Sequence, residues 1–181
     1  MRSRTNVAIA LLAAIFTALF VTEEVRAAGD KVAFPKDYAK GVLYWVQDRP
    51  GNKQVREYYI SKAAIDAVKA DKPIPSGTVI TVVQYNAKID DAANPIKDAN
   101  GRFVKTDLRG YTVMEKRTGW GADYAADVRN GEWEYQQFTA EKMPSPMVDL
   151  MTCLICHKRQ ETQDFVYSIN NIREPGQALS Q

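Results

Sequence analysis

The chain has 181 residues and carries 24 basic and 22 acidic side chains, a formal net charge of +2 at pH 7. This near-balance, with no basic stripe, argues against a nucleic-acid partner. The whole chain has two cysteines and one histidine, and two cysteines are too few for a disulfide framework.

The N-terminus has the pattern of an export signal. Two arginines within the first four residues precede an apolar run over residues 7–21, and residues 25–27 (Val-Arg-Ala) form a small-x-small cleavage site. The apolar run is short for a membrane span, which needs about 20 residues, although an uncleaved anchor is the alternative. We therefore predict a signal peptide over residues 1–27, a periplasmic location, and a single domain over residues 28–181.

The middle of the chain is rich in strand patterns. Alternating or continuous apolar and β-branched runs predict strands over residues 42–47, 55–60, 78–85, 110–116 and 132–139, with a further strand over 164–169. Ser61 is a suitable N-cap for a short helix over residues 62–69. A polar segment, 90–101, reads as a hairpin connection ending in the tight turn Asn100-Gly101. The predicted fold class is α+β with β dominant: an antiparallel sheet with short helices and a prosthetic group packed against the sheet.

A short motif near the C-terminus carries the chemistry. Cys153, Cys156 and His157 form the C-x-x-C-H pattern by which a c-type haem is attached. In a helix over residues 147–158 these positions share one face, so two thiols form thioethers while the imidazole reaches the iron. Leu154 and Ile155, between the cysteines, are expected to pack against the protein body. The pattern predicts one covalent haem c, with iron bound by His157.

Other sites built from the same residues remain open. A C-x-x-C pair forms a redox-active disulfide in other proteins, but such a pair has no need of the adjoining histidine. A zinc site would need carboxylates to complete it, because no further cysteine or histidine exists in the chain. A structural disulfide between residues 153 and 156 would be strained on a helix.

The sequence offers no evident sixth ligand for the iron. No methionine follows His157, and the four that precede it after the signal are assigned to packing or linker positions: Met114, Met143, Met147 and Met151. A second histidine does not exist. The prediction is therefore a five-coordinate iron with an open distal position, which favours binding of a small ligand over electron transfer alone.

The order of features from about residue 34 to residue 169 resembles the cytochrome P-460 family, which includes the beta-type cytochromes c-prime. Besides the haem motif, the matching stretches are FPKDY (34–38), YYI (58–60), PSGTVI (75–80), GYTVM (110–114), NGEWEY (130–135) and DFVY (164–167). The resemblance implies one haem held against a largely antiparallel sheet, in a periplasmic protein that is commonly a homodimer.

The resemblance also implies a choice between two activities. One branch of the family oxidises hydroxylamine with a haem crosslinked to a lysine; the other lacks the crosslink and binds nitric oxide or carbon monoxide. The lysine position aligns at or next to Val82 here, and the nearest lysine, Lys88, is expected to be solvated. This departure favours the gas-binding branch.

We accordingly expect a haem c protein that binds nitric oxide, carbon monoxide or another small nitrogen oxide, with possible redox turnover. The alternatives are an oxidoreductase that oxidises hydroxylamine or nitric oxide and passes electrons to another cytochrome, and a plain electron-transfer cytochrome. By alternation alone, the candidates for the distal pocket are Tyr59, Val82, Tyr135 and Phe138. An apolar ceiling such as Val82 would favour nitric oxide and carbon monoxide over dioxygen.

Overall fold

The computed structural model describes residues 31–146 and 149–176. The predicted signal peptide and the first two residues of the predicted haem helix lie outside this part of the chain. Within it, no helix has the length and apolar character needed to cross a membrane.

Five strands form one antiparallel sheet in which neighbours in sequence are neighbours in space. The strands are β1 (Val42–Arg49), β2 (Gln54–Ile60), β3 (Val79–Ala87), β4 (Lys105–Lys116) and β5 (Trp133–Thr139). The predicted β-dominant α+β class and the five strands are confirmed. Local signals suffice here, because β-branched and aromatic runs separated by turn residues favour hairpins between consecutive strands.

Short helices complete the fold: α1 (Lys62–Lys69), α2 (Leu150–Lys158) and α3 (Ile169–Arg173). Ser61 caps α1 as predicted, its hydroxyl accepting from the Ala64 amide. The β3–β4 connection also turns where expected, at residues 98–101, where the Gly101 amide donates to the Asp98 carbonyl.

The predicted last strand over residues 164–169 is wrong. Asp164 and Phe165 both have positive φ, 51° and 61°, which no extended strand can accommodate. A 3-10 turn over residues 161–163 precedes them and α3 follows at Ile169. Asp164 holds this reversal in place by accepting from Lys116 Nζ at 2.7 Å and from Trp133 Nε1 at 3.3 Å. The reversal buries Phe165 and leaves Tyr167 half-exposed, so the two do not share a face.

The sheet separates two apolar layers. The first face, which we call the helical face, carries Ile80, Met114 and Tyr135 and is covered by side chains of the three helices. The opposite face carries Tyr111, Val113 and Phe138 and is covered in part by the segment 32–38. The haem motif on α2 belongs to the helical face.

Candidate functional site

Helix α2 positions the three residues of the motif. Asp149 caps its N-terminus by accepting from the Met151 amide at 3.0 Å. Leu154 is only 1% exposed and fixes the helix against the core, whereas Ile155 is 54% exposed and does not pack as expected. Cys153 and Cys156 are not joined by a disulfide, and burial raises the pKa of the Cys153 thiol. Both thiols therefore remain separate groups one helical turn apart.

His157 is held in a defined orientation and protonation state. Its Nδ1 lies 2.7 Å from the Phe165 carbonyl oxygen. Since a carbonyl can only accept, Nδ1 carries the proton and Nε2 keeps its lone pair. Burial lowers the pKa of the imidazole, which favours this neutral form. A neutral imidazole with a free Nε2, oriented by a second hydrogen bond, is the form that binds iron.

Two aromatic rings fix the plane of the imidazole. The Tyr135 ring on β5 lies 4.7 Å from the His157 ring, and the Tyr167 ring lies 5.2 Å away at 86° to it. The Tyr167 hydroxyl also donates to the Cys156 carbonyl at 3.0 Å. The turn at residues 164–168, where the sequence predicts a strand, therefore supplies both the carbonyl and one of the rings.

A cavity of about 580 Å³ opens beside the motif, between the sheet and the residues that follow α2. Its size falls in the range of cofactor pockets, about 300–1,000 Å³. The lining consists of Trp45, Gln47, Arg49, Arg56, Tyr58, Ile80, Val82, Thr112, Met114, Tyr135, Cys156, His157, Val166, Tyr167 and Ser168. A largely apolar slot with an oriented neutral histidine and one thiol, that of Cys156, at its wall fits a covalently bound haem. Cys153 does not line the cavity; it lies half-buried against the core, one helical turn earlier on α2. The two cysteines would hold the macrocycle and His157 the metal.

Two of the four candidates for the distal pocket do line this cavity. Val82 and Tyr135 face it, whereas Tyr59 and Phe138 lie on the opposite face of the sheet. Tyr59 pairs across the sheet with Thr81. The pairing register of β1 shifts between Leu43 and Trp45, so β1 is not a regular strand. Alternation identifies which residues share a face, but it does not tell which face receives the ligand.

The surroundings of Val82 are more polar than the sequence suggested. Its cross-strand partners on the same face are Tyr58 and Thr112. The Tyr58 hydroxyl donates to Gln47 Oε1 at 2.8 Å, and the Thr112 hydroxyl accepts from Gln84 Nε2. Lys88, by contrast, is exposed beyond the end of β3 and does not line the cavity.

The methionines fall in different places. Met114 is buried on β4 and lines the cavity, whereas Met143 is exposed and Met151 lies on α2 itself. Met147 lies outside the described residues. Met114 is therefore the one methionine of the described chain that faces the cavity.

Asn130 is a site residue that sequence reasoning missed. It is fully buried, and its Nδ2 donates to the Leu154 carbonyl at 3.0 Å and to the Tyr135 hydroxyl at 2.9 Å. It thus ties the loop before β5 to α2 and to the ring that packs on His157. The Asn130-Gly131 pair signalled only a turn in the sequence, because an Asn-Gly dipeptide gives no sign of a buried amide.

The family model described as Cytochrome P460 matches residues 35–168. No curated protein matches the chain significantly. The matched region contains the whole sheet, the cavity and the C-x-x-C-H motif on α2. The chain therefore belongs to the cytochrome P460 family, which implies a haem-type cofactor with iron.

Proposed function

We propose that this chain is a periplasmic cytochrome that carries one covalent haem c and binds nitric oxide, carbon monoxide or a similarly small nitrogen oxide at five-coordinate iron. The observation that supports it best is the orientation of His157. Its Nδ1–H donates to the Phe165 carbonyl, and its ring borders a largely apolar cavity. The bound haem would supply the iron centre that takes the diatomic ligand.

The chain's own residues orient the axial imidazole and limit the access of water. Phe165 fixes the tautomer, and the rings of Tyr135 and Tyr167 restrict rotation of His157. Ile80, Val82 and Val166 give the cavity an apolar wall that offers no base to a bound ligand. Such a wall suits ligands that need little polar assistance.

Oxidation of hydroxylamine, the first alternative, has less support. Val82, at or next to the position that aligns with the crosslinking lysine, lines the cavity, and Lys88 does not. Among the described residues, the cavity is lined by no aspartate, glutamate or lysine that could accept a proton from such a substrate.

A plain electron-transfer cytochrome is supported by one observation, the presence of Met114 in the cavity wall. A thioether is a suitable sixth ligand to haem iron. Met114 pairs across the sheet with Tyr135, the residue that packs on His157, which places the two on adjacent strands. This position favours packing of Met114 beside the proximal imidazole over ligation of the far side.

The decisive experiment is an optical titration of the full chain, matured in an exporting host that attaches haem c. We expect colour that acid acetone does not extract and a high-spin ferrous spectrum. The spectrum should change when nitric oxide or carbon monoxide is added. His157→Gly should keep the covalent colour and lose this spectrum, and exogenous imidazole should restore it. Met114→Leu, the matched control, should leave the spectrum unchanged.

Three results would contradict parts of this proposal. A strongly red-shifted ferrous band would indicate a crosslinked macrocycle and favour hydroxylamine chemistry. A low-spin spectrum lost in Met114→Leu would indicate the electron carrier. Colourless wild-type protein would end the proposal. Mass spectrometry of the exported chain tests cleavage after Ala27, and light scattering tests the homodimer that we propose from the family resemblance.

A further inference from the structure

Two arginines line the cavity that we assign to the haem. Arg49 ends β1 and Arg56 lies on β2, both half-buried. Among the described residues, neither guanidinium forms an ion pair with a carboxylate. Arg56 donates instead to the neutral Gln54 Oε1, at 3.2 and 3.1 Å. The cavity wall therefore carries two positive charges and no acidic side chain of the described chain.

These charges lie at the opposite end of the cavity from His157. Arg56 pairs with Gln84 on β3, whereas Ile80 shares its cross-strand row with Met114 and, through it, with Tyr135. The four residue steps from Ile80 to Gln84 span about 13 Å at about 3.3 Å per residue. Since the imidazole packs on Tyr135, the cavity has a histidine end and a cationic end.

A pair of partly buried guanidinium groups needs an anionic partner to offset its desolvation. Their planar donor sets match carboxylates, which they bind through two parallel hydrogen bonds. A haem c has its two thioether bonds along one edge of the macrocycle and two propionate carboxylates along the opposite edge. The charge, the number and the position of the arginines all match the second edge.

We propose that Arg49 and Arg56 bind the two haem propionates and hold them ionised. This inference rests on the proposed function, because it assumes the covalent haem. With the thioethers on α2 and the carboxylates at Arg49 and Arg56, the macrocycle is fixed at both edges. The remaining titratable groups around the cavity are Tyr58, Tyr135 and Tyr167, together with His157 and Cys156, which the haem engages.

The test is the reduction potential of the haem-loaded protein between pH 5 and pH 8. In wild type, propionates that stay ionised in both oxidation states give a reduction potential that does not change with pH. In Arg49→Gln/Arg56→Gln, the propionate pKa rises into this range. Because the oxidised, more positive haem releases the proton more readily, the potential then falls as pH rises.

Matched variants isolate the effect of the two charges. Lys69→Gln, which removes an exposed charge on α1, should keep the wild-type profile. Arg49→Lys/Arg56→Lys should also stay flat, since it keeps both positive charges. If the double glutamine variant fails to mature, the single variants serve, each with one of the two propionates expected to titrate.

Covalent haem content is measured first. Wild-type protein without covalent haem would contradict the proposed function, whereas the pH profile of haem-loaded protein tests the propionate assignment alone. Variants with wild-type haem content and a flat profile would overturn the assignment. A titration with sodium nitrite provides a second arm. If nitrite perturbs the visible spectrum of wild type but not of the double glutamine variant, while the pH profile is unchanged, the arginines bind an external anion and the propionate assignment is wrong.

Discussion

Thr112 adds a polar group to the cavity wall next to Val82. The two residues are direct cross-strand partners, and the Thr112 hydroxyl accepts from the amide of Gln84, which is buried. Because the Thr112 oxygen is the acceptor in this bond, the hydroxyl keeps its own proton for a further acceptor. One hydroxyl donor therefore stands beside Val82 in the cavity wall.

We predict that Thr112→Val lowers the free energy of unfolding by about 1–3 kcal/mol, because the buried Gln84 amide loses its acceptor. Urea unfolding of the haem-loaded protein measures this. The matched control is Thr106→Val, whose exposed hydroxyl donates to the Asn86 carbonyl at 3.1 Å and should contribute less than about 0.5 kcal/mol. Equal effects at the two positions would show that the Gln84–Thr112 contact does not stabilise the site.

At the scale of elements, the segment preceding β1 is joined to the loop between β4 and β5 by one charged cluster. Lys31 Nζ lies 2.7 Å from Asp123 Oδ2 and 3.1 Å from Glu134 Oε1. Burial alone would lower the pKa of Lys31, but these two carboxylates raise it above its usual value. Glu134 is 1% exposed on β5 and also accepts from the Tyr124 hydroxyl at 2.8 Å. The cluster thus stabilises the loop that carries Asn130.

The losses of stability on removing the two partners of this cluster should not add. We predict that Lys31→Met destabilises the fold by about 3 kcal/mol, because it leaves the buried Glu134 charge with a hydroxyl donor only. The double variant Lys31→Met/Glu134→Gln should lose less than the sum of the single variants. A double-mutant cycle by urea unfolding measures the coupling.

The exposed pair Lys62–Asp66, 2.6 Å apart on α1, supplies the control for this cycle. Lys62→Met should change the free energy of unfolding by less than about 0.5 kcal/mol, since surface pairs contribute little. Additivity of the Lys31 and Glu134 changes within about 0.5 kcal/mol would contradict the coupling.

The strands, the first helix and the C-x-x-C-H motif could be predicted because their signals are local: alternation, capping by Ser61, and fixed spacing of three residues. The segment 164–168 could not, because Phe165-Val166-Tyr167 favours a strand by composition while the ion pair of Asp164 with Lys116, 48 residues away, stabilises a reversal. Tyr59 and Phe138 lie on the face away from the cavity, because the helices cover the other face of the sheet, and alternation alone does not show which face that is. Asn130, Arg49 and Arg56 act through contacts made only in the folded chain.

At the scale of the whole molecule, the haem would fill the space between the sheet and the segments that follow it. The cavity wall includes Trp45, Ile80, Val82 and Met114, which border a volume of about 580 Å³. A haem in this volume would contact the apolar side chains of both layers that border it. The attached haem should therefore be a part of the core, and stability should depend on its attachment.

We predict that Cys153→Ala/Cys156→Ala, which cannot form thioethers, lowers the thermal midpoint by about 10 °C or more. This corresponds to about 3 kcal/mol at about 2–4 °C per kcal/mol for a domain of this size. Circular dichroism follows the unfolding, with Lys69→Ala on the exposed surface of α1 as control. If the double variant lacks covalent haem yet unfolds at the wild-type midpoint, the sheet and helices form a complete core by themselves, and the haem is bound at the surface of the fold.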